Sequence, residues 1–155
     1  MKTFGLYVLG FSLLLSTTAC NSSDSSSSGT NAPAPTVVET LSGTVPAPVA
    51  GGPQQSSFVS FNSSGAGTGS VTLTSAIETL SNGSLSLNVV VGLQLGVPSG
   101  GSCTLASGST PLLTQASPLP ISAPFVAGGN CILVTSGDQS AQAGPVSYTI
   151  VIVHF

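Results

Sequence analysis

The chain has 155 residues, with one Lys+Arg, four Asp+Glu and one His, for a formal net charge of −3 at pH 7. Binding that relies on neutralising phosphates, in nucleic acid or at an anionic lipid surface, is excluded by so little positive charge. Tryptophan is absent and aromatic residues make up 5% of the chain, so stacking against sugars has few rings to draw on.

The first residues have the order of an export signal. Lys2 gives a positive start, and an apolar stretch over 4–15 is broken only by Gly5, Gly10 and Ser12. Ser16, Thr17, Thr18 and Ala19 then lead into Cys20. Charge, apolar segment and small-residue cleavage region in that order are the secretory pattern. The twelve-residue apolar stretch is well short of the roughly 20 residues a membrane-spanning helix needs. Thr17-Thr18-Ala19-Cys20 resembles the lipobox of bacterial lipoproteins, with Thr17 where that motif usually has leucine. The resemblance implies a signal peptide over 1–19, cleavage before Cys20, and a diacylglyceryl thioether on its sulfur. Two or three acyl chains hold a protein at a membrane where one does not, at about 0.8 kcal/mol per buried methylene. The other reading is ordinary secretion with a free Cys20.

Residues 21–36 contain no large apolar side chain until the folded part begins, and end in Ala32-Pro33-Ala34-Pro35. Such a segment buries too little to offset the entropy of ordering, so 20–36 is expected to be a lipidated cysteine on a flexible tether reaching at most about 55 Å. Asn21, rather than Asp, follows the lipid cysteine, which by analogy with enteric lipoproteins points to the outer membrane. Lys2 leaves with the signal, so the mature chain has no Lys or Arg; its acids are Asp24, Glu39, Glu78 and Asp138.

Residues 37–155 are of a size for one domain with one core. Period-two alternation predicts strands at 37–41, 57–61, 70–75, 85–95, 103–105, 121–125, 131–135 and 146–155. Between them stand turn formers such as Asn82-Gly83, Pro98-Ser99-Gly100-Gly101 and Gly128-Gly129. Leu85, Leu87, Val89, Val91, Leu93 and Leu95 are expected to share one buried face. Asn82-Gly83 is the strongest hairpin signal. Near the end, Val146, Tyr148, Ile150 and Ile152 lie on one face and Thr149, Val151, Val153 and Phe155 on the other, the pattern of a central strand. About eight antiparallel strands imply an all-β fold, a β-sandwich of jelly-roll-like form.

With Cys20 assigned to lipid, Cys103 and Cys131 remain, and an oxidising compartment favours their pairing as a disulfide. A metal site is not expected, because only His154 is available to join them. No cofactor is expected either.

Two stretches resemble the β-sandwich modules related to bacterial pre-peptidase C-terminal domains. They are Val91-Gly92-Leu93-Gln94-Leu95-Gly96-Val97-Pro98-Ser99-Gly100-Gly101-Ser102-Cys103 and Gly144-Pro145-Val146-Ser147-Tyr148-Thr149-Ile150-Val151-Ile152-Val153-His154. The resemblance implies a non-catalytic unit that serves adhesion, substrate approach or folding support. Where such modules carry acids linked to calcium this chain has Asn88, so calcium is not implied.

Catalysis needs convergent titratable groups. Glu39, Glu78 and Asp138 are expected to be solvated acids at strand ends, and His154 a strand-end residue with an exposed ring. No nucleophile elbow occurs. Phe58 and Phe61 fall on opposite faces of one short strand, so one of them, together with Phe155, is a possible contact point. The favoured reading is a non-catalytic, lipid-anchored envelope protein that binds an unidentified partner or contributes structure. The alternatives are an accessory module for a polysaccharide or protein, and an outer-membrane β-barrel component ending on Phe155, against which Thr149 and Ser147 interrupt the outward apolar series.

Overall fold

The computed structural model describes residues 36–87, 89–106, 110–137 and 142–155. The readings that fall on 1–35, Cys20 and Asp24 included, and on Asn88 and Asp138 lie outside these residues. Among the described residues there is no helix, and hence none long and apolar enough to cross a membrane.

Ten strands follow one another: β1 Val37–Val45, β2 Ser56–Ser63, β3 Gly67–Thr79, β4 Leu85–Ser86, β5 Val91–Ser99, β6 Ser102–Leu105, β7 Leu112–Thr114, β8 Ile121–Phe125, β9 Gly128–Ser136 and β10 Val146–His154. All pairings are antiparallel. One sheet has the order β1-β10-β3, with β8 and β4 sharing the far edge of the long β3; the other has the order β2-β9-β5, with β6 and β7 sharing the far edge of β5. The two sheets pack face to face as a β-sandwich and do not close into a barrel. Val71, Leu73, Val146, Ile150 and Ile152 of the first meet Phe61, Val91, Leu93, Ile132 and Val134 of the second in one buried cluster. Each such aliphatic side chain contributes about 1.5–3 kcal/mol on full burial.

β10 is the central strand its two-faced pattern predicts, flanked by β1 and β3. Its register against β3 slips between Thr149 and Ile150, which oppose Ser75 and Leu73 and leave Thr74 as an extra residue. This bulge exchanges the faces of β3, as an inserted residue must at a period of two. Val71 and Leu73 on one side of it, and Ala76 and Glu78 on the other, therefore all point inward and are buried.

The run over 85–95 departs from expectation. It is two strands in different sheets, β4 beside β3 and β5 beside β9. Leu85 and Leu87 are 61% and 64% exposed. Alternation is unchanged across the break, so nothing local marks where the chain leaves one sheet for the other. The Asn82-Gly83 hairpin does form: Gly83 has φ 80°, and Leu80 N–H donates to the Ser84 carbonyl at 2.8 Å. β7, over Leu112–Thr114, was not anticipated.

Candidate functional site

The two lateral sides of the sandwich differ. On one, edge strands β1 and β2 lie against each other, and the Tyr148 hydroxyl beneath them is 3.3 Å from Ser57 Oγ. Tyr148 is 1% exposed, and burial raises its phenol above the ordinary value, the Ser57 hydrogen bond acting in the opposite direction. Its ring occupies space left by Gly43, its partner on β1: a Cβ there would stand 2.6 Å from Tyr148 Cζ.

On the other side, β8 and the β5–β6 hairpin stand apart and leave a cleft of about 580 Å3. Leu95, Gly96 and Val97 of β5, Thr104 and Leu105 of β6 with Ala106, Pro124 and Phe125 of β8 with Val126, and Asn130 line it. A second hollow of about 180 Å3, between Val71, Leu93, Leu112, Ile121 and Ile132, shares Leu95 and Pro124 with the first. Among the described residues that line either, none is ionisable. Val97, Val126 and Leu112 at the rim are each 47% exposed.

The disulfide shapes this cleft. Cys103 on β6 and Cys131 on β9 are bridged, with Cα atoms 5.9 Å apart. β5 lies between those strands, and second neighbours in a flat sheet stand about 9.5 Å apart. The hairpin therefore folds back toward β9, with Gly96 at the crease, where a Cβ would meet Cys103 Sγ at 2.9 Å and the Thr104 carbonyl. Gly100 and Gly101 close the hairpin at φ 56° and 82°, the left-handed pair that a two-residue turn requires.

Asn130, 1% exposed, fixes the floor and the β8–β9 turn. Its Oδ1 accepts from Val126 N–H at 3.1 Å, and its Nδ2 donates to the Val126 and Gly128 carbonyls at 2.8 and 3.0 Å. Both amide hydrogens are thus spent within the protein.

The titratable groups lie elsewhere, and two expectations about them are corrected. His154 is 2% exposed rather than solvent-facing. It continues the inward series of β10, with ring centroids 5.1 Å from Phe61 and 6.5 Å from Phe125. Its Nδ1 is 3.0 Å from the Phe155 carbonyl oxygen. Its Nε2 stands 3.3 Å from Glu39 Oε1, yet the angles do not make that contact a hydrogen bond, and Nε2 is otherwise unpartnered. Glu78 is 5% exposed rather than solvated. Its Oε1 accepts from Ala143 and Gly144 N–H at 2.5 and 2.8 Å, pinning the chain that enters β10. Glu78 opposes Val146 and Glu39 opposes Ile152 on β10, six residues or about 20 Å apart. A glycosidase pair stands within about 5–9.5 Å.

Among the predicted contact points, Phe61 is buried edge-on against Phe125 at 5.1 Å and belongs to the core, since β2 turns that face inward. Phe58 on the opposite face is half-buried. Phe155 is half-buried over Gly67, and its carbonyl accepts from Ser64 N–H at 2.7 Å and from Ser63 Oγ at 3.0 Å. Among the described residues, no group of three or more His, Cys, Asp or Glu is placed to hold a metal. None of the cleft residues was singled out by the sequence as a site residue: Leu95 was expected on a buried face and Pro124 within a strand, while Val97, Val126 and Asn130 fell between the predicted strands. Comparison with known protein families, with characterised proteins and with solved structures finds no match to this chain.

Proposed function

We propose that this protein is a non-catalytic binding module of a bacterial cell envelope, held at the outer membrane by acyl chains on Cys20, which takes an apolar ligand between its two sheets. The lipobox-like Thr18-Ala19-Cys20 supports the anchor, and the two stretches that resemble pre-peptidase C-terminal-type modules support a non-catalytic role. The observation that carries the binding role is the uncharged cleft between β8 and the β5–β6 hairpin, continuous with exposed Val97 and Val126. Exposed aliphatic surface rimming a preformed hollow marks a binding site in soluble domains. A polysaccharide partner finds little to hold there: Asn130 has no N–H left to donate, and Phe125, 3% exposed, is already packed on Phe61.

Two experiments test the halves separately. Cells fed labelled palmitate should label the wild type and not Cys20→Ala; equal labelling refutes the anchor. The uncharged fluorophore N-phenyl-1-naphthylamine should brighten on binding the purified protein and not its Val97→Asp/Val126→Asp variant. A wild type that leaves the dye dark refutes the binding role.

A further inference from the structure

We infer that the cleft holds one unbranched aliphatic chain carried by an uncharged head group, that is, a neutral monoacyl lipid. This deepens the binding role proposed above and rests on it.

The walls decide the buried part of the ligand. Leu95, Val97, Leu105, Pro124, Phe125 and Val126 present hydrocarbon, and the amide at the floor is fully engaged by the β8–β9 turn. Away from Thr104, a polar group entering the larger hollow loses its water and finds no uncommitted side-chain donor among the described lining residues, at about 1–3 kcal/mol for each unmade hydrogen bond. Methylene groups enter with a gain of about 0.8 kcal/mol each.

Charge decides the head group. No Lys or Arg occurs among the described residues, and the described acids are Glu39 and Glu78. A phosphate or carboxylate head would have no partner at the mouth and would meet a field of its own sign. Thr104, an exposed residue of the lining, offers a hydroxyl suited to a hydroxylated neutral head.

Shape decides for a chain over a compact molecule. The larger hollow, of about 580 Å3, and the smaller one, of about 180 Å3, have Leu95 and Pro124 as shared lining residues. Taken together they offer a chain a path lined mainly by hydrocarbon, with Gln94 and Ser122 in the smaller hollow and Thr104 and Asn130 in the larger. One aliphatic chain suits such a lining, and among the described lining residues only one, Phe125, is aromatic.

The test uses the mature chain from residue 20 with Cys20→Ser, so that neither an acyl chain nor the apolar signal stretch competes, loaded with N-phenyl-1-naphthylamine. It is titrated with 1-monoacylglycerols of increasing chain length, with fatty acids of matching length, and with maltohexaose. The monoacylglycerols should displace the dye about fourfold more tightly per added methylene until the path is full, the factor equivalent to about 0.8 kcal/mol. Matching fatty acids should be at least several-fold weaker at pH 8, and maltohexaose inert. Val97→Asp and Val126→Asp, both at exposed positions and checked for an unchanged far-ultraviolet spectrum, should weaken binding tenfold or more. Leu85→Asp, at an exposed position on β4 away from the cleft, should not. Displacement independent of chain length, fatty acids equal to or tighter than monoacylglycerols, or rim variants that bind like Leu85→Asp each overturn the inference. Dye displaced by maltohexaose alone overturns the ligand class and leaves the cleft as a site. A wild type that never binds dye removes the binding role itself.

Discussion

Removing the Cys103–Cys131 bridge should remove stability and the cleft together. The bridge closes a loop spanning 28 residues, and the chain-entropy relation puts its effect on the unfolded state at about 3.6 kcal/mol. Cys131 is fully buried, so Cys131→Ala also empties space in a packed region and adds to the loss. At about 4 °C per kcal/mol for a domain of this size, Cys103→Ala/Cys131→Ala should melt on the order of 15 °C lower. The second effect is local. β6 is four residues long and among the described residues pairs only with β5, and the 5.9 Å Cα separation across the intervening strand is held by the bridge. The bridge lies on the outer face of its sheet, on the side of Gly96 and opposite to Leu95 and Ile132. Without it the hairpin relaxes toward the spacing of a flat sheet, and the wall carrying Thr104 moves toward β8 and narrows the cleft. Urea denaturation should show the lost stability, and amide exchange should rise selectively over 102–105. Affinity for N-phenyl-1-naphthylamine should fall tenfold or more at temperatures where the variant is still folded. A variant within about 0.5 kcal/mol of the wild type would refute the entropic reasoning. A variant that loses stability but keeps its dye affinity would show that the β5 ladder alone places the wall.

Three further outcomes are expected. Gly43→Ala should destabilise by about 1–2 kcal/mol, because the overpacking against Tyr148, about 1–3 kcal/mol, outweighs the entropy gained by leaving glycine; a chemical melt that shows gained stability contradicts that packing. Tyr148 holds its proton more tightly in the native state than in the unfolded chain. Its contribution is therefore intact below about pH 10 and lost as pH rises through the raised native value. Among the described residues there is no Lys, no Arg and no free thiol to titrate alongside it, so Tyr148→Phe should abolish the alkaline fall in the urea midpoint, and a persisting slope would assign it elsewhere. Glu78→Ala, which orphans the Ala143 and Gly144 amides, should cost about 2–6 kcal/mol at roughly 1–3 kcal/mol per unmade bond. Glu78→Gln keeps an acceptor oxygen and should cost less in the same melt; the reverse order would mean the amides find other partners.

Period-two alternation is a local property, and it carried much of the fold. β8 has the bounds 121–125 expected of it, β10 runs from Val146 as its pattern required, and Asn82-Gly83 turns the chain where a positive φ was needed. Cys103 with Cys131 followed from counting thiols. His154 was also within reach, because it extends the even-numbered series of Val146, Tyr148, Ile150 and Ile152; its place at the chain end drew attention from its parity. Glu78 was not, since its inward face depends on the bulge at Thr74, which exists only in the pairing of β3 with β10.

What a strand's neighbours are cannot be read from its own residues. The 85–95 run looks the same to a local pattern whether it stays in one sheet or crosses to the other, and the crossing leaves Leu85 and Leu87 in solvent. The cleft is a still more distant consequence: β5 and β8 leave a gap because they are edge-side strands of opposite sheets, with a hairpin folded back by a cysteine pair 28 residues apart. The sequence by itself determined that strands would form, and most of the faces they would bury, because steric alternation acts between adjacent residues. Only the tertiary structure decided which aliphatic residues were left to line a hollow, because that depends on what lies across from them.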